Sequence, residues 1–183
     1  MDFHIRRATA SDLPDLHRLF HSGFRALSSY EHYTPGQVSG AIGVIFKPDE
    51  DGIAEGTAFV ATAPSASSKI ICCGSWTSRR LVDGQKAKRG DPKADYALLR
   101  GVVVDPAYAG RGLGSRMFLH LENEARKAGF ARFEFGATIT GIRQWRKFGY
   151  QVIGGEHHYK LPNGEIFTLV HMRKDESTKT SKM

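Results

Sequence analysis

The chain has 183 residues, 40% of them hydrophobic and 25% charged, which suits a single folded domain and excludes a disordered or collagen-like polymer. Its first residues, Met1-Asp2-Phe3-His4-Ile5-Arg6-Arg7, lack the apolar stretch of a secretory leader, and no apolar run approaches the roughly 20 residues of a membrane helix, so a cytoplasmic protein with no membrane partner is expected. Lys and Arg outnumber Asp and Glu by 26 to 19, but part of that excess sits in Lys86-Ala87-Lys88-Arg89 and at Lys179 and Lys182. The remaining charges are interspersed, so no nucleic-acid stripe is expected.

Residues 2–8 alternate as a strand does. Ser11 or Asp12 then caps a helix with an apolar face of Leu13, Leu16, Phe20, Phe24 and Leu27. Beyond a loop at 28–36, Pro35 opens a second short helix with Val38, Ile42 and Ile45 inward. Thr57 to Thr62 and Lys69 to Ser78 read as strands joined by a Pro/Ser/Ala-rich turn. They carry the adjacent Cys72 and Cys73, which point to opposite faces of a strand and do not form a disulfide framework. Residues 83–95, rich in Gly, Lys and Asp, read as a mobile loop. A strand at 97–104 follows, then a helix at 112–128 with Leu113, Met117, Leu121, Ala125 and Ala128 on one face, ended by Gly129. A strand at 132–136, a short helix at about 140–148, and strands near 151–160 and 165–173 complete the chain, with Asn163-Gly164 as a hairpin turn. The fold class is mixed α/β: a mostly antiparallel sheet with one parallel β-α-β crossover and helices on both faces. One domain spans 1–174, and 175–183 is a frayed polar tail.

The chemistry concentrates in Val102-Val103-Val104-Asp105-Pro106-Ala107-Tyr108-Ala109-Gly110-Arg111-Gly112-Leu113-Gly114-Ser115. Glycines at 110, 112 and 114 lead from a loop into a helix N-terminus, where backbone N–H groups and the helix dipole favour a pyrophosphate. The plain alternative is a tight turn between strand and helix. A dinucleotide fingerprint requires G-x-G-x-x-G directly after its strand. Here Ser115 takes the third glycine position and Asp105–Ala109 intervene, although Glu134 lies twenty residues beyond Gly114. The Gly-Lys-Ser/Thr of a P-loop is missing.

This segment resembles the cofactor motif of the GNAT acetyltransferase superfamily, a strand ending in V-x-P followed by [R/Q]-x-x-G-x-[G/A]. The run Ala137 to Tyr150, with its closing Gly149-Tyr150, is similar to that family's next helix, and 161–164 and 171–174 are similar to its terminal hairpin. The resemblance implies acetyl-CoA as cofactor and transfer of its acetyl group, by direct attack, to an amine of a small molecule or peptide. It implies that the 97–104 and 132–136 strands splay apart, that Val102, Val103 and Val104 pair with the pantetheine arm, and that an N–H of Val103 or Val104 polarises the thioester carbonyl. Residues Ala109, Gly110, Arg111, Gly112, Leu113, Gly114 and Ser115 would hold the pyrophosphate. The acceptor would lie between the 28–36 loop, the 79–95 loop and the terminal hairpin, in a monomer or homodimer.

Two positions depart from the pattern. Ala109 stands where Arg or Gln is common, which removes one side-chain contact and leaves the backbone cradle. Trp145 stands where a tyrosine usually protonates the departing thiolate; indole N–H is no acid near neutral pH, and the ring serves as packing or as a wall of the cofactor site. Tyr108, Tyr150, Tyr159 and His158 are substitute acids, and Asp95 and His32 are candidate bases. A base matters, because an alkylamine of pKa near 10 is about one part in a thousand neutral at pH 7, a penalty of roughly 4 kcal/mol. His157 and His158 alternate across a strand and form no metal cluster. Two alternatives remain: an acyl-CoA-binding module with weak or no catalysis, and a nucleic-acid-binding protein.

Overall fold

The computed structural model describes residues 3–29, 32–63, 69–82 and 85–175. The Pro/Ser/Ala-rich turn and the tail beyond Asp175 lie outside them. Strands β1 (His4–Arg7), β2 (Ala58–Thr62), β3 (Ile70–Thr77), β6 (Ala97–Val104), β7 (Arg132–Ala137), β8 (Gln151–Lys160) and β9 (Ile166–Asp175) form one sheet, ordered β1-β2-β3-β6-β7-β9-β8. Every neighbouring pair is antiparallel except β6 and β7. Helix α4 (Leu113–Lys127) makes that parallel crossover.

Strand alternation sorts the core into two layers. Phe59, Ala61, Cys72, Leu99, Phe133 and Met172 pack under Leu113, Met117, Phe118 and Leu121 of α4. Val60, Ile70, Cys73, Val103, Phe167 and Leu169 pack under α1 (Leu13–Arg25) and α2 (Pro35–Ala41). The two cysteines are thus buried in opposite layers, both as free thiols.

Several elements differ from expectation. Asp12 holds the N-cap position of α1, as expected, but makes no side-chain bond to that helix, and a 3₁₀ turn at Ala10–Asp12 with Thr9 as its own cap precedes α1. There the Asp12 carboxylate accepts from Thr9 N–H at 2.8 Å and from Arg6 at 2.7 and 2.8 Å. Leu19 is buried alongside Leu16 and Phe20, and α2 stops at Ala41. A short helix α3 (Glu50–Glu55), unforeseen because it has no apolar period, is set by the Asp49 cap on Gly52 N–H and by left-handed Gly56. Part of the supposed loop at 83–95 is strand: β4 (Arg79–Val82) and β5 (Gln85–Arg89) pair as a separate ribbon. In α4, Ala128 is exposed, while Phe118 and Glu122 are buried. Helix α5 (Ile142–Arg146) is shorter than its pattern because a 3₁₀ turn occupies 139–141.

Candidate active site

The parallel pair holds for only two positions, Ala97 opposite Phe133 and Leu98 opposite Glu134. Beyond them β6 and β7 part, and the β6 edge from Leu99 to Val104 faces a cleft of about 810 Å³. A bulge shapes that edge. Across Cys73–Ser75 of β3, β6 runs from Val103 to Arg100, one residue more than its partner, and Gly101 absorbs the turn at φ +64°. On the α4 side the cleft is walled by Phe118, Phe135 and Trp145; on the α1 side Phe20, Phe24, Phe46 and Leu169 close it.

From Val104 the chain passes through a 3₁₀ turn at Pro106–Tyr108, which Asp105 caps through Ala107 N–H at 2.9 Å, and enters the glycine loop. Gly110 and Gly112 have φ of +74° and +78°, and a Cβ built on either would meet nothing within 4 Å. The protein itself therefore does not require small residues by crowding; the backbone conformation does, and it leaves open space over the loop. No side chain caps the first turn of α4, so its N–H groups face that space. This is a fit for a pyrophosphate: a cradle of backbone donors, the positive end of a 15-residue helix, and no protein atoms in the way.

A profile of the acetyltransferase (GNAT) family matches residues 70–150, the stretch from β3 through this loop to Tyr150. That stretch matches the GNAT acetyltransferase domain. Among solved structures, the fold is similar to a GCN5-related N-acetyltransferase from Rhodopseudomonas palustris, with 19% identity, a TM-score of 0.71, and coverage of 96% of this chain and 97% of that one. It is similar to PaiA N-acetyltransferase from Thermoplasma acidophilum in complex with coenzyme A (15%, TM-score 0.63, 96% and 100% covered). It is also similar to the ribosomal-protein-S18-alanine N-acetyltransferase from Escherichia coli (17%, TM-score 0.61, 100% and 99% covered). A search of curated proteins by sequence finds no match.

The residues singled out by sequence divide sharply. Val102, Val103 and Val104 line the cleft, while Ala109, Gly110, Arg111 and Gly112 are exposed in the loop past its mouth. The Arg111 guanidinium lies 5.5 Å from the Tyr108 ring centroid, and Ser115 Oγ accepts from Gln144 Nε2 of α5 at 2.9 Å. Trp145 also lines the cleft; it stacks on Phe118 with 4.2 Å between ring centroids and meets Phe135 edge-on at 5.5 Å.

The substitute acids and bases fare differently. Tyr150 is 1% exposed and donates to Glu122 Oε1 at 2.7 Å, within a buried cluster with Lys174. Asp95 accepts from Asp91 N–H at 2.8 Å at the foot of β6, His32 is exposed in a turn, and His158 meets Thr168 Oγ1 at 3.0 Å. None of these, nor Tyr108, lines the cleft; Tyr159 does. Among the described residues, the loops expected around the acceptor, 28–36 and 79–95, do not line it either. The turn at 45–51 leading into α3 lines the cleft, together with Tyr159 and Leu169 of the terminal hairpin.

Sequence inspection missed Ser75 in the cleft and weighed Glu134, which lies outside the cleft lining, only as the distal acid of a dinucleotide fingerprint. Ser75 is 2% exposed on the cleft wall, and its Oγ has no hydrogen-bond partner among the described residues. Glu134, 7% exposed, holds Arg173 Nε at 2.9 Å and lies 3.2 Å from His171 Nε2. The sequence signal was a carboxylate between Phe133 and Phe135 in an otherwise apolar strand.

Proposed function

We propose that the protein is an N-acetyltransferase that moves an acetyl group from acetyl-CoA to an amine by direct attack. The observation that carries this is the continuity of the open β6 edge with the glycine cradle. A single stretch of backbone offers unpaired strand groups and then helix N-terminal donors. The cofactor supplies an activated acyl thioester. The N–H groups of residues 110–115 would hold its pyrophosphate, and the edge at Val102–Val104 would pair with the pantetheine arm as an added strand. An N–H of Val103 or Val104 would donate to the thioester carbonyl oxygen as negative charge develops on it, a contribution that grows in a water-poor cleft. The aromatic wall of Phe118, Phe135 and Trp145 excludes water from the reacting end.

The missing tyrosine at 145 keeps one rival reading in view, an acyl-CoA-binding module with little catalysis. Calorimetry with CoA and a thiol-release assay over an amine panel separate the two. The enzyme binds CoA and releases thiol in proportion to acceptor; the module binds and releases none. A protein that does not bind CoA would end both.

A further inference from the structure

β8 is the outermost strand of the sheet, and every residue from Ile153 to Lys160 is exposed, on both faces. Among the described residues no strand pairs with its outer edge. A row of unpaired N–H and C=O groups this long is a template for another strand. The opposite edge of the sheet, β1, has only four residues. A bulge divides β8: its register with β9 slips between Val152 and Glu156, where Gly154 has a φ of +72°. Bulges bend an edge away from pairing, so the regular edge is Glu156-His157-His158-Tyr159-Lys160.

His157 and Tyr159 stand opposite Leu169 and Phe167 of β9 and so share the α1 face; Glu156, His158 and Lys160 share the other. Tyr159 is 44% exposed although it lines the cleft. Glu156 lies 4.0 Å from His158 Nε2, beyond hydrogen-bond reach, and both side chains are more than half exposed. A lone lysine on an edge strand guards against pairing. Here a glutamate four residues before it makes the stretch complementary to itself when turned end for end. In antiparallel pairing about a two-fold axis through His158, Glu156 stands directly opposite Lys160 of the partner subunit, and this happens twice. An axis through His157 instead sets Lys160 against glycine 154, and one through Tyr159 sets Lys160 against a histidine and Glu156 against Pro162. Only the axis through His158 places carboxylate opposite ammonium.

We propose that the β8 edge joins two copies of this chain, paired antiparallel about His158 so that their seven-stranded sheets run on as one. The pairing uses no residue of the glycine loop and stands apart from the acyl-transfer function above. Residues opposite one another in this register are an even number of positions apart, so both α1 faces end on the same side of the joined sheet. Cross-strand partners have Cβ atoms about 5 Å apart. His157 of the partner subunit therefore comes to lie beside Tyr159, and each copy adds a side chain to the hairpin end of the other's cleft. A strand of an unrelated protein would supply the backbone pairing but not the reciprocal Glu–Lys pairs.

The test is the mass of the full chain in solution. Light scattering on the wild type at about 100 μM should give twice the chain's 20.2 kDa. Lys160→Glu lines the seam with four carboxylates, and Glu156→Lys lines it with four ammonium groups. Each should weaken association by about thirtyfold. Both positions are exposed, so the circular dichroism of each variant should stay that of the wild type. Mixed in equal amounts, the two variants should associate with each other, because every carboxylate then meets an ammonium group. The double exchange, Glu156→Lys with Lys160→Glu, should restore the wild-type dimer for the same reason. A wild type of 20.2 kDa at that concentration, or a dimer indifferent to both single exchanges, would overturn the proposal. So would folded variants that associate no better mixed than alone, or a double exchange as weak as either single one.

Discussion

On the α4 side of β6, most groups facing the cleft come from one stretch of chain between Ala97 and Tyr150, joined by Phe59 and Gly74, and the backbone N–H groups of the glycine loop lie past its mouth. On the α1 side they come from α1, the turn before α3, β3, β6 and the terminal hairpin, and the polar ones include the side chains Ser75, Asp49 and Arg100. The first side asks for glycines and a helix start, and local spacing specifies both. The second side depends on which strands lie next to which, and a register shift of one residue would turn every one of these side chains to the other face.

The sharpest way to break the contrast is to spoil the backbone cradle alone. Gly112→Val should reduce CoA affinity by a hundredfold or more, a loss of at least about 2.7 kcal/mol. The added side chain would stand in phosphate space and strain a φ of +78°. Calorimetry on the folded variant checks it, and unchanged affinity would remove the cradle from the α4 side.

Trp145 tests whether that side also contributes a side chain to chemistry. Trp145→Ala should lower unfolding free energy by about 2–3 kcal/mol, below the range for a fully buried tryptophan because the ring is only half-buried. Trp145→Tyr should lose about 1 kcal/mol, with turnover falling in step. Higher turnover at unchanged CoA affinity would instead show that a hydroxyl at 145 reaches the departing sulfur.

Asp12 anchors α1 and thereby the α1 wall. Hydrogen bonds from Arg6 are the main reason its carboxyl is lowered to about 2, helped by Thr9 and opposed by burial. Because the folded pKa lies below the ordinary 3.8, the stabilisation is complete above 3.8 and is lost as pH falls from there through about 2. Asp12→Asn should lower stability by about 1–2 kcal/mol at pH 7, less than the full shift implies because Arg6 is partly solvated, and by progressively less in acid. Denaturant titrations at several pH values measure it; an equal penalty at every pH would deny the ion pair its role.

The smallest effect is expected at Tyr150. Tyr150→Phe removes its bond to Glu122, which keeps Arg126 at 2.6 Å and Lys174 at 3.0 Å. A stability loss of about 1 kcal/mol with unchanged CoA affinity and turnover would confirm an interior strut. A selective loss of turnover would return this hydroxyl to the chemistry.

The sequence by itself determined the parts whose information is local. The glycine spacing at 110–114, the apolar periods of α1 and α4, the Asn163-Gly164 turn and the need for one parallel crossover each reside within a few turns of chain, where hydrogen-bond geometry and periodicity act directly. Tertiary structure alone decided where β6 and β7 part and that α3 and the turn before it line the cleft. It also decided that Tyr150 is interior while Tyr159 reaches the cleft, and that Glu134 and His171, thirty-seven residues apart in sequence, meet at 3.2 Å. Those outcomes follow from strand order and register, which are set by how the two apolar layers pack over the whole sheet; no short window of residues carries that sum.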